Sequence, residues 1–506
     1  METLFTLNLP AQSSAPLHRQ VYEQIRTAIL TGRLRSQQKL PASRQLAQSL
    51  GVSRTTITQS YDQLISEGYL KTRRGAGTFV SAEIPDDLLN PPEGAKTPQR
   101  SAQLPSRLAS QLPSQKSTSP PPLSAYGQRL LTTAQPSQQT QNTLSFRYWR
   151  PDLSLFPVKQ WQRLVNRHSL SSTAWMTYSD EPLGYEPLRS AIATYLSQAR
   201  AVACQPEQII ITQGTQQALG LIAQVLLNEG DAIAIEDPGY LSARKVFSSH
   251  GALPVPIPVD EQGITVDALK RTGQLSPKLV YVTPSHQFPT GVLMSLPRRL
   301  ALLEWAQQTG GMIVEDDYDS EYRYGGRPIP ALQGLDTYQR VLYVGTFSKV
   351  MFPALRLGYM VLPPSLVPVF RRAKWVCDRQ CSILHQAALA EFINEGHLAK
   401  HIRRMRTVYA QRREVLVSEL QTLGAVEILG DPAGLHVMAR LPDAQKFAAR
   451  AADNGVSLFS AAPYYCLGED ISPEEKSERE RAFVFGFGGL SEGEIRTAIA
   501  LIRAKT

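Results

Sequence analysis

The chain has 506 residues, 42% of them hydrophobic and 19% charged, with a net charge of +9. That is enough chain for two to four domains and enough apolar matter for a large core, which excludes wholesale disorder. Its four cysteines, Cys204, Cys377, Cys381 and Cys466, are too few for a disulfide scaffold and show no C-x-x-C spacing, so they read as reduced thiols and no metal site is expected.

The start, Met1-Glu2-Thr3-Leu4-Phe5, lacks a basic region followed by a long apolar run, which argues against a secretory signal. No run of about 18 apolar residues occurs, so no membrane span is expected, and the expected location is cytoplasmic. Residues 1–80 hold ten Lys or Arg and four acids, a local excess of +6 out of +9. Such concentration suits a polyanionic partner; a merely basic, solvated face is the alternative. Leu17, Val21, Ile25, Ala28 and Ile29 have helical spacing, and Gly32 ends that helix. Ser43 is placed as the cap of a short second helix through Leu46, Ala47 and Leu50. After the Gly51-Val52 turn, Ser53 caps a third helix from Arg54 to about Glu67. Two helices joined by a tight glycine turn form a helix-turn-helix pattern, in which Arg54, Thr55 and Thr56 would reach base edges. Gly68 to Val80 reads as two strands around a basic tip, a wing whose Lys71, Arg73 and Arg74 would meet phosphates and whose Gly77 permits close backbone approach.

Residues 85–142 contain ten of the 36 prolines amid Ser, Gln and Thr, with Asp86, Asp87 and Glu93 as the only acids. This composition reads as a flexible linker, assigned to 83–142, with a coil span of roughly 40 Å. It separates a domain at 14–82 from one at 143–506. Cys377 and Cys381, four apart, are placed on one helix of the latter.

From Ser145 onward, short wholly apolar runs alternate with helical patterns: Ile209–Ile211, Ala232–Ile235, Leu279–Val282, Met312–Val314 and Val341–Val344. They read as buried, mainly parallel strands of an α/β domain. One strand, Tyr343-Val344-Gly345-Thr346, runs into Phe347-Ser348-Lys349, with Arg356 a little beyond. A lysine at a strand end can form a Schiff base with an aldehyde cofactor, while Thr346, Ser348 and Arg356 could hold its phosphate. Another strand ends in Asp316-Asp317-Tyr318; residues two apart on a strand share a face, so Asp316 could pair with a pyridine nitrogen and Tyr318 with a phenolate oxygen. Gly214, Thr215 and Gln216 open a helix whose free amides suit a phosphate, and Tyr240 could stack on a flat ring. Each feature alone has an ordinary reading as a turn or a solvated loop.

Pro16 to Val80 resembles the winged helix-turn-helix of GntR-type bacterial repressors, through Leu40-Pro41-x-Ser43-Arg44-x-Leu46-Ala47, Val52-Ser53-Arg54-x-Thr56 and Arg74-Gly75-x-Gly77-Thr78-Phe79-Val80. The resemblance implies contacts with double-stranded promoter DNA by Arg44, Arg54, Thr56 and Gly77; with Lys39, Thr55, Arg73 and Arg74 these make up the candidate DNA-binding set. The ordered set Gly214-Thr215-Gln216, Tyr240, Asp316/Tyr318, Ser348-Lys349 and Arg356 resembles fold-type I aminotransferases, which implies pyridoxal 5′-phosphate bound to Lys349. His286-Gln287-Phe288-Pro289-Thr290-Gly291 and Glu315 to Tyr324 resemble the MocR/GabR family, in which a GntR-type reader is fused to an aminotransferase-like effector domain. Most aminotransferases carry an asparagine where this chain has Phe288. The family implies a head-to-tail homodimer, and Tyr178 is the candidate to touch the phosphate of a partner subunit.

The apolar strand Phe483-Val484-Phe485-Gly486-Phe487 carries no arginine, with Arg481 just before it, and Ser242 stands where GABA-responsive relatives have an arginine. A site without a guanidinium fork lacks the strongest carboxylate recognition. This favours a sensor over an enzyme, with pyridoxal phosphate itself or an amino compound as the small-molecule signal and vitamin B6 or amino-compound metabolism as the controlled process. A working aminotransferase with an accessory DNA-binding module is the alternative.

Overall fold

The structure, a computed structural model, describes residues 15–83, 121–133 and 144–503, apart from 172, 274, 326–328, 431 and 467–470. The chain divides into two units, Met1–Ser119 and Pro120–Thr506.

In the smaller unit, α1 (Leu17–Leu30), α2 (Ser43–Leu50) and α3 (Arg54–Ser66) precede the antiparallel strands β1 (Leu70–Arg73) and β2 (Gly77–Val80). Val21, Ile25 and Ala28 of α1 bury their stripe against Ile57 and Leu64 of α3, which fixes the angle between the helices. Ser53 caps α3 as its position suggests, its hydroxyl accepting from the Thr56 amide at 3.1 Å. Ser43 is not a cap: it is the first helical residue, and Ala42 precedes the helix with its amide bonded to Gln45.

The larger unit opens with an element that composition does not predict. Inside the stretch expected to be linker, Ala125–Thr132 form a helix, α4, capped by Ser124. Tyr126, Leu130 and Leu131 give it an apolar stripe that composition averaged over 60 residues concealed. Residues 84–120 and 134–143 of that stretch lie outside the described residues. After β3 (Leu144–Ser145) come α5 (Val158–Ser171), α6 (Glu186–Arg200), β4 (Ile209–Thr212), α7 (Thr215–Leu226), β5 (Ala232–Asp237), α8 (Leu241–Ser249), β6 (Leu253–Asp260), β7 (Gly263–Ile264), β8 (Leu279–Val282), β9 (Met312–Asp317), β10 (Val341–Thr346) and β11 (Gly358–Val361). The five apolar runs picked out above are β4, β5, β8, β9 and β10. The eight-stranded sheet has the order β4-β11-β10-β9-β8-β5-β6-β7, parallel from β10 through β6 and antiparallel where β11 joins β10 and β4. Helices cover both faces, so β4, β8 and β10 are buried along their whole length. Pro254, Pro256 and Pro258 alternate in β6, which is possible because only every second residue there must donate to β5. A smaller antiparallel sheet of β12 (Glu427–Leu429), β13 (His436–Arg440) and β15 (Ala482–Gly486) follows the long helix His397–Gln421, while β14 (Val456–Ser457) pairs with β3. Cys377 ends its helix and Cys381 lies beyond it, buried, so the two thiols do not share a helix.

Candidate functional site

The parallel strands bring several candidate residues to one end of the sheet. Asp316, the fifth residue of β9, is buried. The Tyr281 hydroxyl on neighbouring β8 donates to its Oδ2 at 2.7 Å, while Oδ1 is buried without a partner. Burial pushes this carboxyl up to about 7. Lys349 lies three residues beyond β10; its Nζ donates to the Trp149 carbonyl at 3.3 Å. Burial lowers the amine to about 8, against the opposing pull of Asp319 and Asp316. Tyr318 follows β9, and its hydroxyl lies 3.0 Å from His286 Nδ1.

Gly214 adopts φ +82° to turn β4 into α7, a conformation that glycine accommodates, and no side chain caps the first turn of α7. A Cβ there would lie 3.4 Å from the Arg356 guanidinium, which donates to the Gln213 carbonyl at 2.7 Å. Thr346 Oγ1 and Ser348 Oγ are 3.0 Å apart in the turn after β10. Tyr240 precedes α8, close to the side chains of Gln216 and Ser242, and senses the charges of Asp316 and Arg356. Gly214, Gln216, Tyr240, Asp316, Lys349 and Arg356 are thus linked by direct contact or short-range electrostatics, and Thr215 opens α7 beside them. Tyr178 is not tied to them: it is exposed, with the Arg379 guanidinium 5.0 Å from its ring.

Sequence reading missed the second layer. Phe288 is buried among the rings of Tyr148, Tyr240, Tyr318, His436 and Tyr464, at centroid distances of 5.0–6.2 Å. Behind them His286 faces Asp319, and Glu236 of β5 accepts from Thr283 and Gln287. Burial pushes Glu236 up to about 7. His286 lies in the segment His286–Gly291, but nothing in spacing links it to Asp319 across 33 residues. His286, Asp319 and His436 offer ligand-type atoms within 4.8 Å of one another. The His436 Nε2–H donates to the Pro289 carbonyl at 3.1 Å, and burial, aided by His286 and Lys349, disfavours charge on its ring. Each of the three thus has a hydrogen-bond partner within the protein. The strand β15 is apolar and buried, and Arg481 Nε donates to the Leu441 carbonyl, so no guanidinium enters the site from that strand.

In the smaller unit Arg44, Arg54, Thr55, Arg73 and Arg74 are exposed. Lys39 and Arg73 flank the Phe79 ring at 5.9 and 4.8 Å, and a Cβ on Gly77 would press on the Lys39 side chain at 3.0 Å. Thr56 is less free than its position suggests: its hydroxyl is 2.8 Å from Ser53 Oγ, inside the helix cap. The wing and the start of α3 both expose basic side chains, as a reader of duplex DNA requires.

Residues 152–479 match the family of class I and II aminotransferases, and residues 17–80 match the bacterial regulatory proteins of the gntR family. Along 98% of its length the chain is 38% identical to a probable rhizopine catabolism regulatory protein, MocR, of Rhizobium meliloti, covering 95% of that protein. The chain belongs to the MocR family of helix-turn-helix regulators. A second full-length MocR-type relative is the pyridoxine biosynthesis regulator PdxR of Corynebacterium glutamicum, 31% identical over 96% of this chain and 94% of that one. Among solved structures, kynurenine aminotransferase from Pyrococcus horikoshii superposes with a TM-score of 0.64 at 28% identity, over 76% of this chain and 94% of that chain. This MocR-type chain therefore joins a GntR winged helix-turn-helix to an aminotransferase-like domain of fold type I. No helix among its described residues is long and apolar enough to cross a membrane.

Proposed function

We propose that this MocR-type regulator binds pyridoxal 5′-phosphate at Lys349 and couples that binding, or the arrival of an amino compound at the bound cofactor, to promoter occupancy. The observation that carries the reading is the unpartnered Oδ1 of Asp316, a buried acceptor in the electrostatic reach of the Lys349 amine. A buried acceptor without a donor costs stability, and a protonated pyridine nitrogen would satisfy it. The other residues fit the same group: Tyr318 for the ring oxygen, Tyr240 for the ring face, and the uncapped first turn of α7 with Thr346, Ser348 and Arg356 for the phosphate. When bound, the aldehyde supplies covalent capture by an amine and an electron-withdrawing ring. The chain's own residues bind the phosphate, keep the pyridine nitrogen charged and hold Lys349 as a poised nucleophile.

On this reading two chains form a head-to-tail homodimer, Tyr178 reaches the phosphate of the partner subunit, and the reader pair binds repeated half-sites. The pyridoxine-related name of PdxR supports vitamin supply as the controlled process. The lack of an arginine from β15 supports sensing over turnover. Two measurements test this: the visible-edge absorbance of purified protein with pyridoxal phosphate, and promoter binding with and without it. Equal DNA affinity in both states overturns the coupling, because a ligand shifts an equilibrium only through differential affinity.

The intact Lys349, Asp316 and Tyr318 also permit the alternative, an active aminotransferase with an accessory reader. Steady transamination of amino acids, lost in Lys349→Ala, supports that alternative and counts against the sensor.

A further inference from the structure

The loop after β8 carries three consecutive side chains, His286, Gln287 and Phe288, of which the first and third meet Tyr318. Gln287 is wholly engaged: Nε2 donates to the carbonyls of Pro238 and Phe288, and Oε1 accepts from Thr290. Phe288 has no polar side-chain atom. His286 is the one that meets the Tyr318 hydroxyl, at 3.0 Å from Nδ1.

The same Nδ1 lies 3.0 and 3.2 Å from the two oxygens of Asp319, and Asp319 Oδ2 also accepts from the Leu435 amide at 3.2 Å. Both side chains are only 2% exposed, so water does not compete. Asp319 acts here as an acceptor, from the Leu435 amide and from the imidazole, which places the hydrogen of His286 on Nδ1. A nitrogen carrying its hydrogen cannot accept another. The single Nδ1 hydrogen is shared between Asp319 and the Tyr318 oxygen, and the phenol's own hydrogen is directed to a different acceptor.

The pair has no room to shift. Gly434 has φ +67°, and a Cβ there would collide with the His286 ring and with Asp319 Oδ2. His436 stacks obliquely 4.8 Å from His286 and is kept neutral by burial. Lys349, Asp316, Asp317 and Glu236 are the other charged or titratable groups facing this cluster.

We propose that His286, held by Asp319, is a positioning residue that keeps the Tyr318 hydroxyl turned as a donor toward the ring oxygen of pyridoxal phosphate. This rests on the cofactor reading above. Without the imidazole, Tyr318 can donate to the Asp319 carboxylate, and the ring oxygen loses its donor. A phenolate oxygen without that donor holds a shared proton more tightly, so the chromophore on Lys349 titrates at higher pH.

The test is the visible-edge absorbance of full-length protein loaded with pyridoxal phosphate, followed against pH. His286→Phe, which keeps the ring and deletes the donor, raises the midpoint by about one to two pH units. His286→Asn, whose amide nitrogen can replace Nδ1, stays near the wild type. Tyr318→Phe raises the midpoint similarly, and adding His286→Phe to it shifts nothing further. A coloured His286→Phe protein with the wild-type midpoint, or additive shifts in the double variant, overturns the proposal alone. A wild-type protein that develops no absorbance with the vitamer overturns the cofactor reading and this proposal together. His286→Leu takes the place of the phenylalanine variant if that one does not fold.

Discussion

Tyr281 donates to one oxygen of Asp316 and leaves the other buried and bare. The two residues sit on adjacent parallel strands, so the rigid sheet aims the free oxygen. Asp316→Asn keeps the shape and removes the charge. We expect it to weaken pyridoxal phosphate binding by roughly 10–100-fold, the worth of a hydrogen bond to a charged group. An absorbance titration with the far-ultraviolet spectrum unchanged checks this, and unaltered affinity counts against Asp316 as the ring's partner. Because the tyrosine bond pulls Asp316 down, Tyr281→Phe raises its protonation point further above 7, and cofactor binding weakens most below that pH.

Capture of an aldehyde by Lys349 needs the neutral amine. Burial lowers that amine to about 8 from its ordinary 10.5. The capture rate should therefore rise with pH and level off above about 8, where an ordinary lysine would still be rising two units later. Stopped-flow absorbance across this range measures the midpoint. A midpoint near 10 refutes the dry, poised amine. In Lys349→Ala the absorbance should vanish while the reader still binds DNA.

In the reader, exposed Arg54 at the start of α3 and exposed Arg74 at the wing tip should differ in kind. Arg54→Ala is expected to cost about 1–3 kcal/mol at the cognate promoter and to relax base preference. Arg74→Ala should weaken all duplexes alike and lower the salt slope by about one. Binding titrations on cognate and scrambled duplexes at several salt concentrations separate the two; identical behaviour means the recognition helix is misassigned.

The parts of this molecule legible in sequence were those set by local periodicity. The five apolar strands, the Ser53 cap and the glycine at 214 announce themselves because burial on both faces, an orphan amide and a positive φ each demand particular residues. What stayed hidden depends on distant partners. His286 meets Asp319 only because β8 and β9 are neighbours, and Gly434 shelters them from a third element. The helix Ala125–Thr132 was lost to averaging, since eight ordered residues barely change the composition of a proline-rich stretch.

Gly434 offers a measure of that hidden packing. Gly434→Ala adds a methyl where the His286 ring and Asp319 already lie, at a left-handed φ. We expect a stability loss of about 2–4 kcal/mol, from backbone strain plus overpacking. Urea unfolding reads it directly; a midpoint equal to the wild type would falsify the tight fit.

The helix Ala125–Thr132 has one more consequence. Its Arg129 grips the Ser249 carbonyl at the end of α8 and Glu229 beyond α7, and Tyr126 meets His250 edge-on at 5.2 Å. The groove beside it is lined by Gln216 and Ser242. The helix Ala125–Thr132 is thus bolted to the far end of α8, the helix that Tyr240 precedes, so that the two ends of α8 carry the ring-stacking candidate and this anchor.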